Sequence, residues 1–128
     1  MPQSPLIAIV DDDESIRETT RDLLESAGFS ADAFSCPSAL LTSERLKLVA
    51  CLITDLRLPE MTGLELHLRL VAADYAIPAI IITAYPDERL RAQALEANVL
   101  CFLAKPFAAE ELLACVRRAT QGSEHSGK

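Results

Sequence analysis

Asp11, Asp12, Asp55, Thr83 and Lys105 are the residues of this chain whose types and positions suit shared chemistry. Each stands at the carboxyl end of an apolar run. Asp11-Asp12 closes Leu6-Ile7-Ala8-Ile9-Val10, and Asp55 closes Ala50-Cys51-Leu52-Ile53-Thr54. Thr83 closes Ala79-Ile80-Ile81-Ile82, and Lys105 closes Val99-Leu100-Cys101-Phe102-Leu103-Ala104. If these runs are parallel strands of one sheet, their polar ends meet at one edge. Carboxylates, a hydroxyl and an ammonium in one crevice suit a divalent cation and a phosphoryl group. A carboxylate attacks an activated phosphoryl group to give an aspartyl phosphate. Carboxylates this close repel one another, and a hard, oxygen-seeking cation relieves that repulsion.

The elements that must position these residues alternate strand and helix. Strand-like runs cover about residues 5–11, 30–34, 50–55, 78–83 and 99–104, and their central members are continuously apolar, as in parallel strands covered on both faces. The first helix carries Ile16, Thr20, Leu23, Leu24 and Ala27 on one face, with Gly28 as a left-handed cap after it. Ser35 and Pro37 suit the start of a second helix. Gly63 opens a third, with Leu64, Leu68 and Val71 as its inward stripe and His67 on its solvent side. Pro86 opens a fourth, with Leu90, Ala94 and Ala97 inward and Asn98 ending it. The last helix has Glu110 and Glu111 early, Arg117 and Arg118 late, and a buried stripe of Leu112, Val116 and Ala119. Asp13 and Glu14 suit a helix N-terminus. Right-handed crossovers between such strands give a doubly wound α/β sheet, whose ligands bind beyond the strand carboxyl ends.

Composition bounds the class. A chain of 128 residues, half of them hydrophobic, can build one core without disulfides or a structural metal. A net charge of −7 excludes a nonspecific nucleic-acid surface and a polybasic membrane anchor. The four cysteines form no C-x-x-C pair, and the two histidines, His67 and His125, supply no zinc spacing. Cys51 and Cys101 lie in strand runs, where cysteine acts as a small apolar residue. Free thiols without a signal peptide point to the cytoplasm. No apolar run approaches the roughly 20 residues that span a bilayer.

Four ordered motifs carry a resemblance: Val-Asp-Asp at 10–12, Thr-Asp-Leu-Arg-Leu-Pro-Glu-Met-Thr-Gly at 54–63, Ile-Thr-Ala at 82–84 and Lys-Pro-Phe at 105–107. Each alone is weak, but each closes an expected strand. From about Leu6 to Ala119 the chain resembles a receiver domain of bacterial two-component response regulators, and the 56–66 string looks most like regulators of nitrogen-fixation type. The resemblance implies a flavodoxin-like fold, a single doubly wound five-stranded parallel sheet of order 2-1-3-4-5 with five helices. It implies a receiver over residues 1–121 and a flexible tail or linker start over 122–128. It makes Asp55 the phosphoacceptor, with a phosphohistidine on a sensor histidine kinase as donor. Asp12, Asp55 and the backbone carbonyl of Arg57 would hold Mg²⁺, and Asp11 would act through water. Lys105, before a cis Pro106, would pair with phosphoryl oxygens, and Thr83 would donate its hydroxyl to one. Thr83 and Phe102 would form the switch that alters the face of the fourth helix, last strand and last helix, where receivers dimerise or bind partners. Such a chain turns over no external substrate. Relatives of this type carry a DNA-binding output domain, whereas the receiver itself binds no nucleic acid or membrane.

Pro86 and Asn98-Val99 depart from the family pattern near that output face. Three other readings share parts of the pattern. A pseudo-receiver would bind partners without phosphorylation, but it usually lacks an acid or the lysine. An aspartyl-nucleophile phosphatase would use Asp11-Asp12-Asp13, but Glu14-Ser15 follow where that class needs a threonine. A flavodoxin-like cofactor binder needs a Ser/Thr/Gly-rich phosphate loop, and Asp11-Asp12-Asp13-Glu14 would repel a phosphate without metal.

Overall fold

The computed structural model describes residues 4–125. Strands β1 (Leu6–Val10), β2 (Ser30–Phe34), β3 (Val49–Asp55), β4 (Ala79–Thr83) and β5 (Cys101–Ala104) form one sheet in the order β2-β1-β3-β4-β5, every neighbouring pair parallel. Helices α1 (Glu14–Ser26), α2 (Pro37–Leu41), α3 (Gly63–Ala72), α4 (Glu88–Glu96) and α5 (Ala109–His125) alternate with the strands. The doubly wound, flavodoxin-like architecture expected from the sequence is therefore the one observed. Among the described residues, no helix is long and apolar enough to cross a membrane.

The continuous apolar strands are explained by two cores. Ile7 and Ile9 of β1 pack on one face with Ile53, Ile80, Ile82, Leu24 of α1, and Leu112 and Val116 of α5. Ala8 and Val10 turn to the other face, with Leu40 of α2, Leu52, and Leu66 and Leu70 of α3. A third cluster joins Leu56, Ile81, Ala94 and Val99 beneath α4. Both faces of each central strand are buried, so strand periodicity disappears from the sequence while the pleat still alternates. Each fully buried Leu, Ile or Val stabilises the fold by about 1.5–3 kcal/mol relative to exposure.

The helix ends follow local chemistry. The Asp13 carboxylate caps α1, accepting from the backbone N–H of Ser15 at 2.9 Å and Ile16 at 3.2 Å. Gly28 (φ 95°) and Asn98 (φ 65°) take the left-handed conformation after α1 and α4. The α4 cap is Asp87, not Pro86: its carboxylate accepts from Arg89 N–H at 2.7 Å, and the helix starts at Glu88. Val99 and Leu100 belong to the turn before β5. Helical backbone in α5 continues to His125, past residue 121, where a tail was expected to begin. Residues 126–128 lie outside the described residues. Burial pushes the thiols of Cys51 and Cys115 up to about 12, which keeps them protonated, as core cysteines are.

The third helix corrects the sequence expectation. Its buried face is Gly63, Leu66, His67 and Leu70, whereas Leu68 and Val71 are exposed. His67 is 4% exposed, and its Nε2–H donates to the Ala97 carbonyl at 2.8 Å, tying α3 to the end of α4. His67→Ala is expected to cost about 2 kcal/mol through the cavity and the lost hydrogen bond. Urea denaturation checks this, and an unchanged midpoint would return His67 to the solvent side.

Candidate functional site

Strand register brings the polar strand ends together. Val10 pairs with Thr54, Asp55 with Ile82, and Thr83 with Ala104, so the ends of β1 and β4 flank the end of β3, and Lys105 after β5 stands one strand further out. The backbone N–H of Lys105 donates to the Thr83 carbonyl at 2.8 Å, fixing the lysine at the sheet edge. The Lys105-Pro106 peptide is cis. Lys105 Nζ lies 2.8 Å from Asp55 Oδ2 and 3.4 Å from Asp11 Oδ2. Asp11, Asp12 and Asp55 each offer a carboxylate oxygen, and the three lie within 4.8 Å of one another.

The acids are held in different ways. Asp11 is buried, and its Oδ1 accepts from the Asp13 N–H at 2.9 Å. Burial raises its pKa above the ordinary 3.8 and the Asp55 charge adds to that, while the Asp13 hydrogen bond and Lys105 oppose it. Asp12 is exposed at the rim. Asp55 is partly buried: its Oδ1 accepts from Arg57 N–H at 3.0 Å, and its Oδ2 faces Lys105. For Lys105, burial acts to lower the pKa. The hydrogen bond to Asp55 and the charges of Asp11 and Asp55 outweigh it and raise the ammonium above 10.5. The donors at the crevice are all oxygens, one partly exposed and one at the rim. That set fits a hard cation such as Mg²⁺, which keeps several waters.

Thr83 is fully buried, and its Oγ1 accepts from the Tyr85 N–H at 3.1 Å, leaving the hydroxyl proton free to donate elsewhere. Phe102 is half-buried against the α4 cluster and lines a cavity of about 220 Å³ with Pro86, Asp87, Glu88 and Arg91.

Several side-chain contacts around the site were not legible in the sequence. Arg17 Nη1 donates to the Asp11 carbonyl at 2.7 Å and so anchors the acidic turn to α1. The Arg57 guanidinium lies 5.5 Å from the centroid of the Tyr85 ring, joining the two loops at the mouth. Glu60 reaches out of the same loop to Ser38 of α2. Gly63 was read only as a helix start, yet a Cβ there would overlap the Asp55 carbonyl and meet Thr54 Cγ2 at 2.9 Å. Gly63→Ala is expected to destabilise the fold by about 1–3 kcal/mol by overpacking against the Asp55 backbone. Equilibrium unfolding in urea measures it, and a neutral result would mean the loop yields at no cost.

A family model for the response regulator receiver domain matches residues 7–117. The chain belongs to that family. Among its relatives, the response regulator protein TodT of Pseudomonas putida is 36% identical over 117 residues, covering 91% of this chain and 52% of TodT. The transcriptional regulatory protein FixJ of Bradyrhizobium diazoefficiens is 32% identical over 122 residues, covering 95% of this chain and 60% of FixJ. Of solved structures, the response regulator StyR superposes with a TM-score of 0.88 at 38% identity, covering 96% of this chain and 62% of that one. The receiver thus spans about half the length of such relatives. FixJ among them bears out the resemblance to nitrogen-fixation-type regulators.

Proposed function

We propose that this receiver accepts a phosphoryl group on Asp55 from the phosphohistidine of a sensor histidine kinase, in a reaction that depends on Mg²⁺. The observation that carries the reading is the Lys105 ammonium 2.8 Å from Asp55 Oδ2, beside two further carboxylates. In the transfer, the P–N bond of the donor breaks and a P–O bond to an Asp55 oxygen forms. The donor ring, protonated on its other nitrogen, leaves as neutral imidazole. Each Asp55 oxygen accepts one hydrogen bond in the resting site and keeps a lone pair free, so attack on phosphorus leaves Lys105 beside Oδ2, where it can also meet the incoming phosphoryl oxygens. Asp12, Asp55 and the Arg57 carbonyl would hold Mg²⁺, with Asp11 acting through water. The cation would neutralise charge between carboxylate and phosphoryl oxygens, which with positioning is most of what phosphoryl transfer requires.

The buried Thr83 hydroxyl then donates to a phosphoryl oxygen and draws the loop 84–88 with it. Phe102, beside its cavity, moves inward, and the α4–β5–α5 face changes. The switch is a two-state shift biased by phosphate. It controls output through self-association or through a DNA-binding domain of a longer parent chain, in the cytoplasm. No external substrate is turned over.

Intact-mass spectrometry after incubation with acetyl phosphate tests the core of this reading. One added phosphoryl group with Mg²⁺, and none with the cation chelated, is the expected result. No adduct on the folded protein under either condition would favour a phosphorylation-independent interaction module instead.

A further inference from the structure

The short helix α2 lacks an N-cap of its own. Cys36 occupies the cap position and makes no side-chain capping hydrogen bond. The free N–H of Ser38 is instead satisfied from a distant element: it donates to Glu60 Oε1 at 2.9 Å, while the Ser38 hydroxyl donates to Glu60 Oε2 at 2.9 Å. Glu60 sits in the loop between β3 and α3, with φ 70°, a conformation that a residue with a Cβ seldom adopts. Among the described residues, no other side chain of the 56–61 stretch hydrogen-bonds to another element. Leu58 and Met61 of this loop pack into the core cluster that also holds Leu40 of α2 and Leu66 and Leu70 of α3, while the Glu60 clamp reaches α2 itself. The loop carries Arg57, whose N–H holds Asp55 Oδ1.

We propose that Glu60 is a positioning residue for cation binding, clamping the loop to α2 so that the Arg57 carbonyl stays aimed at the crevice. The inference rests on the reading above that this carbonyl is a ligand of Mg²⁺. The Glu60 carboxylate itself touches no ligand, so it acts through the backbone it holds. Coupling between two sites is reciprocal, so a clamp that strengthens cation binding must itself be strengthened by the cation.

Isothermal titration of the full chain with Mg²⁺, without phosphodonor, tests the proposal. Glu60→Ala is expected to weaken Mg²⁺ binding by about three- to tenfold, the loss of hydrogen bonds to a charged but exposed group. Ser38→Ala keeps the charge and one hydrogen bond, and should weaken binding less. Glu60→Gln keeps an acceptor for the N–H and a donor for the hydroxyl oxygen, and should bind within about twofold of wild type. Hydrogen exchange at the Ser38 amide should slow on adding Mg²⁺ in wild type but not in Glu60→Ala. Unchanged Mg²⁺ affinity in Glu60→Ala would overturn the proposal. So would a Glu60→Gln variant as weak as Glu60→Ala, because bare charge would then explain the effect. If Asp12→Ala binds Mg²⁺ as tightly as wild type, the cation site itself is misassigned and the clamp falls with it.

Discussion

Asp55→Asn is expected to take up no phosphoryl group from acetyl phosphate and Mg²⁺, while wild type gains one. The amide has no anionic oxygen to attack phosphorus, so the loss should be complete and not a slowing. The substitution is close to isosteric, and its amide oxygen can still accept from the Arg57 N–H that holds Oδ1 at 3.0 Å. Unchanged circular dichroism would show that the loss is chemical. Intact mass and peptide mapping decide the matter: an adduct persisting in the variant would move the acceptor to Asp11 or Asp12, the other acids of the crevice.

Lys105→Met is expected to slow phosphoryl uptake by about 10²-fold, the loss that follows removal of one preorganised charge-stabilising donor. Methionine preserves most of the side-chain volume, so the change isolates the ammonium that stands 2.8 Å from Asp55 and 3.4 Å from Asp11. Quench-and-weigh time courses at saturating Mg²⁺ measure it, and a rate within threefold of wild type, about 0.65 kcal/mol, would remove Lys105 from the reaction.

The same variant has a pH signature. The Lys105 pKa in the fold lies above 10.5, so its stabilising contribution is complete below 10.5 and is lost as pH rises through the folded value. Wild type should therefore lose stability in that alkaline range by an increment that Lys105→Met lacks. Asp11 has the opposite consequence for an acid. Its folded pKa is raised above 3.8, chiefly by burial, so the folded state binds that proton more tightly than the unfolded chain. Asp11 then contributes stability that grows as pH falls through its folded value towards 3.8, and its ionised form is a cost at neutral pH. Urea titrations across pH separate the two groups, because Lys105 acts in the alkaline range and Asp11 in the acid range.

Much of the site was legible because chemistry in this fold is tied to strand ends. An apolar run long enough to be a strand, closed by a polar residue, predicts where that residue will stand once the strands are parallel. Asp11, Asp55, Thr83 and Lys105 needed no more than that, and the structure brings Lys105 against Asp11 and Asp55. The third helix was misread for an equally physical reason. Leu64, Leu66, Leu68 and Leu70 surround it with leucine, so periodicity does not single out one face. The choice is made by the sheet, where Leu66 and Leu70 meet Leu52 and Val10, and this carries His67 inward to the Ala97 carbonyl.

What the sequence by itself determined, then, is the alternation of elements, the parallel sheet and the edge at which the polar residues collect, because these follow from runs and their terminal residues. What only the tertiary structure decided is every contact between residues far apart in the chain. The Glu60 clamp on Ser38 spans 22 residues, Arg57 meets the Tyr85 ring across two loops, and Gly63 is required by the Asp55 carbonyl above it. Local propensity constrains the backbone within a few residues. Which face of a helix turns inward, and which loop residue reaches a neighbouring element, depends on packing that exists only after the chain has closed on itself.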